Sequence, residues 1–204
     1  MKQGIIDTPY RFTGGEMDGD VNRCLRVLGD LKGIFADEAA FEAMDQTMEA
    51  YRVASVEPVA QGTPGGLYMG ITYLAPGKVG CEYFMTKGHF HSNRDTAEYY
   101  WGVEGEGMLI LMDEDRNVWA EKMFPGSLHY IPGKVAHRVA NTGDKTLVFA
   151  ASWPSDAGHD YGTIAEEGFA KRLMEVVLKN EGLANKELAK FESQIQSLAD
   201  KWDR

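Results

Sequence analysis

The amino-acid sequence predicts a mainly β protein, an antiparallel sandwich or barrel with helical segments at both ends. Between residues 55 and 153, short runs rich in β-branched and aromatic residues recur at short intervals, which is typical of an all-β domain. Clusters of glycine, proline, asparagine and aspartate separate these runs and mark turns. With 204 residues, of which 44% are apolar, the chain is long enough for one domain with a substantial core.

Nine β-like runs follow one another in this central region. In chain order they are residues 55–60, 67–74, 82–84, 98–103, 107–112, 118–122, 127–131, 137–140 and 146–153. The breaks between them include Ala75-Pro76-Gly77, Pro125-Gly126 and Pro132-Gly133. We therefore expect many short antiparallel strands joined by tight turns.

The two ends of the chain show helical patterns instead. Residues 21–28 and 37–48 carry apolar side chains at helical spacing, and two further apolar stripes follow in residues 164–204. The expected organisation is one structural domain with a helical N-terminal extension (1–54), a barrel (55–164) and a C-terminal helical segment (165–204). Because these segments offer more apolar edge than one small barrel covers, we expect a homodimer.

Composition and charge argue against several classes of partner and location. The formal net charge of −10 repels nucleic acid and anionic membrane surfaces at long range. The two cysteines, Cys24 and Cys81, are too few for a disulfide framework and indicate reduced thiols. The sequence shows neither the apolar run of a signal peptide nor the roughly 20 apolar residues that span a bilayer. We therefore expect a cytoplasmic protein that binds neither nucleic acid nor membranes.

Three histidines and one glutamate form a candidate metal site. His89 and His91 are two residues apart, so on a strand both side chains project from the same face. Glu98 opens the next β-like run, where a hairpin can bring it opposite the histidine pair, and His137 follows the Pro132-Gly133 turn. Three imidazoles and a carboxylate suit a divalent transition metal and leave positions open for water or substrate. The sequence pattern does not identify the metal.

These residues resemble the two cupin motifs. The remaining motif positions correspond to Gly80, Gly105, Gly126, Pro132 and Asn141. The resemblance implies a double-stranded β-helix, the jelly-roll barrel of the cupins, with the metal at its mouth. Two features depart from the general pattern. The interval from His91 to Glu98 is longer, and Lys134 replaces the usual glycine of the second motif.

A closer resemblance is to the cupin-type glucose-6-phosphate isomerases described mainly in archaea. It covers roughly residues 55–165 and rests on the stretches Thr86-Lys87-Gly88-His89-Phe90-His91, Ala97-Glu98-Tyr99-Tyr100 and Ala157-Gly158-His159-Asp160-Tyr161-Gly162-Thr163-Ile164. The resemblance implies a glycolytic and gluconeogenic enzyme that interconverts glucose 6-phosphate and fructose 6-phosphate. It also implies one divalent transition metal, Fe²⁺ in the first place, with Mn²⁺, Zn²⁺ or Ni²⁺ as alternatives.

The same resemblance implies a set of substrate-binding residues. They are Thr72, Thr86, Gly88, Tyr100, Trp153, His159 and Tyr161. Trp153 replaces the tyrosine of the family, and an indole N–H can donate one hydrogen bond but cannot accept one or ionise as a phenol does. Tyr100 shares the strand face of Glu98 and is expected to point inward, whereas Tyr99 is expected to be scaffold.

Other charged residues near the motifs have more ordinary expected roles. Lys87 and Arg138 are expected to be solvated rather than to bind phosphate, and His129 is expected to be structural. The sequence is compatible with two roles for Glu98. This residue either carries a proton through a cis-enediol, as a general base does, or stays a fixed fourth ligand while a hydride shifts under the influence of the metal.

Other functions remain open from the sequence alone. A cupin oxygenase or decarboxylase would use the metal to bind dioxygen or a carboxylic acid. A metal-binding cupin acting on another sugar, or a non-catalytic sugar-binding cupin, would use the same residues with another outcome. The retained Glu98 and three histidines favour an enzyme over a non-catalytic cupin.

Overall fold

A computed structural model describes residues 10–13, 16–171 and 173, all of which belong to the compact unit Met1–Met174. Thirteen strands are described in chain order: β1 (Tyr10–Thr13), β2 (Glu16–Gly19), β3 (Asn22–Val27), β4 (Glu49–Val56), β5 (Leu67–Leu74), β6 (Lys78–Val79), β7 (Glu82–Tyr83), β8 (Glu98–Glu104), β9 (Gly107–Met112), β10 (Val118–Met123), β11 (Leu128–Ile131), β12 (Ala136–Asn141) and β13 (Leu147–Pro154). A 3-10 turn (Leu28–Leu31) and two short helices, α1 (Glu38–Glu42) and α2 (Gly162–Glu167), complete the description.

Two antiparallel sheets form the barrel. The larger has six strands in the order β11-β8-β13-β5-β4-β3, and the smaller has three in the order β10-β9-β12. Apolar side chains from both sheets form one buried cluster, in which Leu74, Leu109 and Leu147 are fully buried. Packing two antiparallel sheets around a shared apolar interior is the jelly-roll arrangement. The predicted mainly β cupin fold is therefore confirmed.

An extended segment before β8 continues the smaller sheet beyond β12. Met85 pairs with Ala140, and His89 pairs with His137, each as an isolated antiparallel bridge. The backbone of His89 donates to and accepts from that of His137 at 3.2 and 3.0 Å. This pairing places the histidine pair of the first motif directly beside the histidine of the second.

The helical prediction for residues 21–28 is wrong. These residues form β3, which pairs with β4 from Asn22↔Ser55 to Val27↔Glu49, and β4 begins at Glu49 rather than at residue 55. The strand pairing satisfies backbone groups along the edge of the large sheet and overrides a weak local helical pattern. Residues 22–27 therefore belong to the barrel wall rather than to a helical layer.

The second helical prediction is correct in kind but too long. Residues 37–48 contain only α1, which the side chain of Asp37 caps by accepting from the Ala40 amide at 2.9 Å. At the other end of the chain, α2 ends at Glu167, and Phe169 of the predicted stripe is buried in the barrel core. The remaining C-terminal stripe positions beyond residue 173 lie outside the described residues.

The outer face of the large sheet is partly covered. The β1-β2 hairpin places Met17, 3% exposed, in a second apolar cluster with Ile71 and Val148. At the β11 edge, by contrast, Leu128 and Tyr130 are 66% and 56% exposed. None of the helices among the described residues has the length and apolarity needed to cross a bilayer.

Candidate metal centre and reaction cavity

The four predicted ligands meet at one buried point of the barrel. One potential ligand atom from each of His89, His91, Glu98 and His137 lies within 4.8 Å of the others. All four side chains are at least nine-tenths buried. Two come from the extended segment before β8, one from the first residue of β8 and one from β12. The set can therefore surround a single ion.

Hydrogen bonds orient two of these imidazoles with their Nε2 atoms towards the centre. His91 Nδ1 lies 3.0 Å from the carbonyl oxygen of Thr96, and His137 Nδ1 lies 3.2 Å from that of Val135. A carbonyl oxygen only accepts, so each Nδ1 carries the hydrogen and each Nε2 presents a lone pair. Metal-binding histidines characteristically show this pattern.

The inward-facing atoms of the cluster are all potential metal-ligand atoms. Glu98 Oε1 lies 2.5 Å from His137 Nε2 and 3.3 Å from His91 Nε2. The buried His89 Nε2 has no hydrogen-bond partner among the described residues. Lone pairs at these distances repel one another unless a cation or a proton lies between them. These residues fit a divalent transition metal.

The pKa values of the cluster reflect burial and mutual charge. Burial is the largest influence on Glu98 and would raise its pKa, but His137 and His91 together lower the pKa to about 2. Burial, reinforced by His137 and His159, lowers the pKa of His89 well below its usual value. Burial would also lower the pKa of His91, but hydrogen bonding and the charge of Glu98 raise it. At neutral pH Glu98 is ionised and His89 is neutral, the states that metal ligands require.

The longer interval between His91 and Glu98 has a structural explanation. It forms a tight turn in which the Asn93 carbonyl accepts from both the amide and the hydroxyl of Thr96, at 3.1 and 2.7 Å. The same turn brings the Thr96 carbonyl to His91. The extra residues therefore orient the imidazole of His91.

The two motifs approach each other at this turn. The Lys134 amide donates to the Arg94 carbonyl at 2.6 Å, and a Cβ at Gly133 would lie 2.6 Å from that same oxygen. Lys134 adopts a φ of 66°, in the left-handed region that favours glycine. The usual glycine of the second motif is thus replaced by a lysine that retains the left-handed conformation.

A cavity of about 210 Å³ opens beside the cluster. Alternate residues of the six-stranded sheet form much of its wall, as expected when side chains project from both faces of a strand in turn. All seven predicted substrate-binding residues line it: Thr72, Thr86, Gly88, Tyr100, Trp153, His159 and Tyr161. Tyr100 is buried whereas Tyr99 is 48% exposed, in agreement with the expected facing of this strand. The structure brings the predicted set together, and the individual roles stay predictions.

The segment at residues 157–161 covers the metal-ligand cluster on one side. The ring centroids of His159 and Tyr161 lie 4.4 and 5.3 Å from that of His89. Backbone bonds between Phe90 and Asp160 hold the segment in both directions, at 3.2 and 2.8 Å. Arg94 adds an ion pair to Asp160 at 2.6 Å. Burial lowers the pKa of His159, so its imidazole is neutral at neutral pH.

Trp153 occupies space that a glycine leaves free. A Cβ at Gly70 would lie 3.0 Å from the indole Cη2, because β5 and β13 are adjacent in the sheet. The indole ring also packs edge-on to Tyr68 and His159, with centroid distances of 6.1 and 6.2 Å. The replacement of tyrosine by tryptophan is thus accommodated by the neighbouring strand.

The structure contradicts the expectation for Arg138 and agrees with the one for His129. Arg138 is buried, with its guanidinium 3.9 Å from the ring centroid of Phe169, so the prediction that it is solvated is wrong. His129 lies away from the metal cluster and bonds to Glu121 at 2.6 Å and to Ser127 at 2.9 Å, in agreement with a structural role. Cys24 and Cys81 are exposed free thiols.

Sequence reasoning missed part of the cavity wall. Cys24 and Arg26 of β3, together with Tyr51, Ser55 and Glu57, line the cavity. The predicted helix at residues 21–28 includes the first two, and the predicted strand at residues 55–60 begins after Tyr51. As a strand, residues 22–27 place Cys24 and Arg26 on one face because the two are two residues apart.

Comparison with known proteins gives a consistent result. The family described as "Glucose-6-phosphate isomerase (GPI)" matches residues 25–190. A glucose-6-phosphate isomerase from Thermococcus litoralis is 44% identical over 76% of this chain and 82% of the relative. A glucose-6-phosphate isomerase from Pyrococcus horikoshii is 42% identical over 80% of this chain and 86% of the relative. Among solved structures, oxalate decarboxylase from Bacillus subtilis matches 54% of this chain and 26% of that chain, with 20% identity and a TM-score of 0.43.

Proposed function

Because the chain belongs to the glucose-6-phosphate isomerase family, we propose that it interconverts glucose 6-phosphate and fructose 6-phosphate with one divalent metal. The observation that supports metal dependence is the buried group His89, His91, Glu98 and His137, whose ligand atoms lie within 4.8 Å of one another. Fe²⁺ is the proposed metal, with Mn²⁺, Zn²⁺ or Ni²⁺ as alternatives. The proposed setting is the cytoplasm, in glycolysis and gluconeogenesis.

Isomerisation moves a carbonyl group between C1 and C2 and requires removal of a hydrogen from the adjacent carbon. A carbon acid of this kind does not ionise near neutral pH without a base and a stabiliser of negative charge. A divalent metal held by His89, His91, Glu98 and His137 would supply that stabilisation as a Lewis acid. The protein residues orient the sugar, limit the access of water and move the proton.

Glu98 is the proposed proton carrier. It borders the cavity, and its ionised state at neutral pH follows from its pKa of about 2. Burial, reinforced by the charge of Glu98, raises the pKa of Tyr100 well above its usual value, so its hydroxyl is neutral at neutral pH. A low pKa also makes a carboxylate a weak base, which favours the alternative of a fixed ligand and a hydride shift. The two mechanisms differ in whether solvent hydrogen enters the product.

The remaining cavity residues are proposed to hold the sugar. His159 and Tyr161 stack on each other, with ring centroids 5.8 Å apart, and form a wall over the metal ligands. Thr72, Thr86 and Gly88 line the same cavity from β5 and from the segment before His89. Hydroxyl and backbone amide groups of this kind bind sugar oxygens and phosphate.

A coupled isomerase assay on purified protein tests the function directly. The protein is stripped of metal with a chelator and then reloaded with iron, manganese, zinc or nickel. We expect activity on glucose 6-phosphate to disappear on chelation and to return with a divalent transition metal. Full activity of metal-free protein would show that the metal is not required. Full metal loading without turnover of any sugar phosphate would support a sugar-binding protein instead.

We also propose that the protein is a homodimer. The exposed side chains of Leu128 and Tyr130 lie on the edge strand β11, and the Tyr130 ring packs against the exposed Tyr99 at a centroid distance of 5.3 Å. Such an apolar patch on a sheet edge suits a second copy. Light scattering should give about twice the chain mass of 22.6 kDa. A mass equal to that of one chain at micromolar concentration would contradict this proposal.

A further inference from the structure

We propose that Arg26 binds the phosphate group of the substrate and makes the cavity selective for phosphorylated over neutral sugars. This inference rests on the proposed isomerase function. It concerns a residue of β3, the strand that forms the edge of the six-stranded sheet. The chemistry involved is the recognition of a dianionic phosphate monoester by a guanidinium group.

The facing of β3 directs Arg26 to the reaction cavity. Arg26 and Cys24, two residues apart, both line the cavity. Arg23, on the opposite face, donates to the Met17 carbonyl of the β1-β2 hairpin. Side chains two apart on a strand share a face, in agreement with the positions of Cys24 and Arg26 on one side and of Arg23 on the other. Two arginines on one strand therefore have distinct environments.

The Arg26 guanidinium has no anionic partner in the described part of the chain. No described carboxylate forms an ion pair with it, whereas Arg23, Arg52, Arg94 and Arg116 each pair with an acid. Its electrostatic neighbours are the phenols of Tyr51 and Tyr161. A half-buried cation in a cavity, next to neutral hydroxyl groups, is suited to an anionic ligand.

The surrounding groups complete a phosphate site. Tyr51 lines the cavity together with Thr86 and Gly88 of the segment before His89. Thr86, Gly88 and Tyr161 line the same cavity as Arg26. Hydroxyl groups, a glycine backbone and one guanidinium are the usual donors to a phosphate group.

The overall charge of the protein favours a local cation in the cavity, and Arg26 and Lys87 are the described cationic side chains that line it. A protein of net charge −10 repels a dianionic sugar phosphate at long range, so the cavity must supply positive charge locally. Arg138 is unsuited to this task, since its guanidinium stacks on Phe169 and bonds to the sulfur of Met85 at 3.0 Å. It does not line this cavity. Arg26 is the arginine that does.

The experiment compares Arg26→Ala, Arg26→Gln and Arg26→Lys with Arg23→Ala in the metal-loaded protein. Arg23→Ala removes the same charge from the opposite face of the same strand. Kinetics on glucose 6-phosphate give KM and kcat separately, and inorganic phosphate serves as the competitive inhibitor. Metal content and circular dichroism of each variant establish that the site and the fold are retained.

We expect Arg26→Ala and Arg26→Gln to raise KM for glucose 6-phosphate and the inhibition constant of phosphate by about 10- to 100-fold each, the usual size of a lost charge-assisted hydrogen bond. Arg26→Lys should retain part of the affinity, because a lysine keeps the charge and loses the bidentate geometry. Arg23→Ala should leave both constants unchanged. Metal content should be the same in all variants.

Unchanged KM and unchanged phosphate inhibition in Arg26→Gln would overturn the inference while leaving the isomerase function intact. An equal loss in Arg23→Ala would also overturn it, because the effect would then come from the overall charge. If the wild-type protein did not isomerise glucose 6-phosphate, the proposed function would fail. Calorimetric binding of inorganic phosphate would then decide the role of Arg26 separately, with equal affinity in wild type and Arg26→Gln overturning it.

Discussion

At the scale of single residues, the most informative side chain is Glu98, because it faces both the metal ligands and the reaction cavity. Its Oε1 lies 2.5 Å from His137 Nε2, in the position of a ligand. It also borders the cavity that we propose for the sugar. Glu98 can therefore act as a proton carrier or as a fixed metal ligand. Two experiments distinguish these roles: replacing the carboxylate by an amide, and measuring whether solvent hydrogen enters the product.

Glu98→Gln should lower the turnover rate by about 10²- to 10⁴-fold, the usual effect of losing a general base. The side chain keeps its size but loses the charge and most of its basicity. The rate is measured together with metal content, since weaker metal binding would lower it for another reason. Isomerisation by the wild type in heavy water should introduce solvent deuterium at the migrating position. Normal turnover by fully metallated Glu98→Gln, or product without deuterium, would favour the hydride shift.

The buried cluster of three histidines and one glutamate was predictable from sequence, whereas the position of Arg26 was not. His89, His91, Glu98 and His137 carry distinctive chemistry at recognisable spacing, and the structure brings them together. Arg26 has no motif around it, and its position follows only from the pairing of β3 with β4. Long-range strand pairing of this kind is not encoded in local periodicity.

At the scale of structural elements, the ion pair between Arg94 and Asp160 links two segments that carry site residues. Arg94 belongs to the turn between His91 and Glu98, and Asp160 lies between His159 and Tyr161. Arg94 also stacks over Phe90, with 4.1 Å from its guanidinium carbon to the ring centroid. We therefore expect Arg94 to position the wall of the cavity rather than to stabilise the whole fold.

Arg94→Ala should raise KM several-fold while metal content stays normal and the melting temperature changes little. The pair is about one-third exposed, and such pairs contribute only about 0–1 kcal/mol to global stability. Hydrogen exchange of the Asp160 amide, which donates to Phe90, should become faster. Arg116→Ala is a matched control, since it removes a pair with Glu167 at 2.8 Å away from the cavity. Unaltered KM and exchange in Arg94→Ala would contradict the positioning role.

A close approach between β8 and the turn before β11 requires a glycine. A Cβ at Gly102 would lie 2.1 Å from the Phe124 carbonyl oxygen, and the backbones of these segments are already joined through Ser127. Gly102→Ala should lower the free energy of unfolding by about 1–3 kcal/mol, the usual cost of overpacking. Gly143→Ala is the control, because its Cβ would have a nearest neighbour at 3.4 Å. Urea denaturation measures both. Equal stability of the two variants would show that the turn before β11 can move away from β8 at little cost in free energy.

The elements were partly predictable. Residues 67–74 and 107–112 form strands with the predicted bounds, because turn residues delimit β-branched and apolar runs there. The error at residues 21–28 arose because an edge strand with mixed exposure shows no clear period of two along its full length. Its backbone hydrogen bonds to β4, rather than its own pattern, determine its conformation.

At the scale of the whole molecule, the metal is expected to contribute to stability as well as to chemistry. Its ligands join the segment before β8, β8 itself and β12, which lie in both sheets. An ion that binds only the folded state stabilises it by an amount that grows with the ratio of free ion to dissociation constant, about 2.7 kcal/mol at 100-fold excess.

Chelation should therefore lower the melting temperature of the wild type, and added divalent metal should restore it. The thermal shift is measured by differential scanning calorimetry. His89→Ala should show neither the loss nor the recovery, since it lacks one ligand and binds metal far more weakly. His129→Gln, a change at a buried histidine outside the cluster, should retain the response. A wild-type melting temperature that does not depend on metal would show that metal binding does not stabilise the folded state.

The packing of Trp153 against Gly70 has a consequence for the descent of this family. The indole fills the volume above a residue that has no side chain, and the two positions lie on adjacent strands. In a lineage that gains a methyl group at position 70 while the indole is present, the indole has to shift by a few tenths of an ångström. A lineage that first exchanges tryptophan for the smaller tyrosine needs no such shift. The two sites should therefore substitute in a preferred historical order, so that ancestors with tyrosine at 153 tolerate alanine at 70 and those with tryptophan retain glycine.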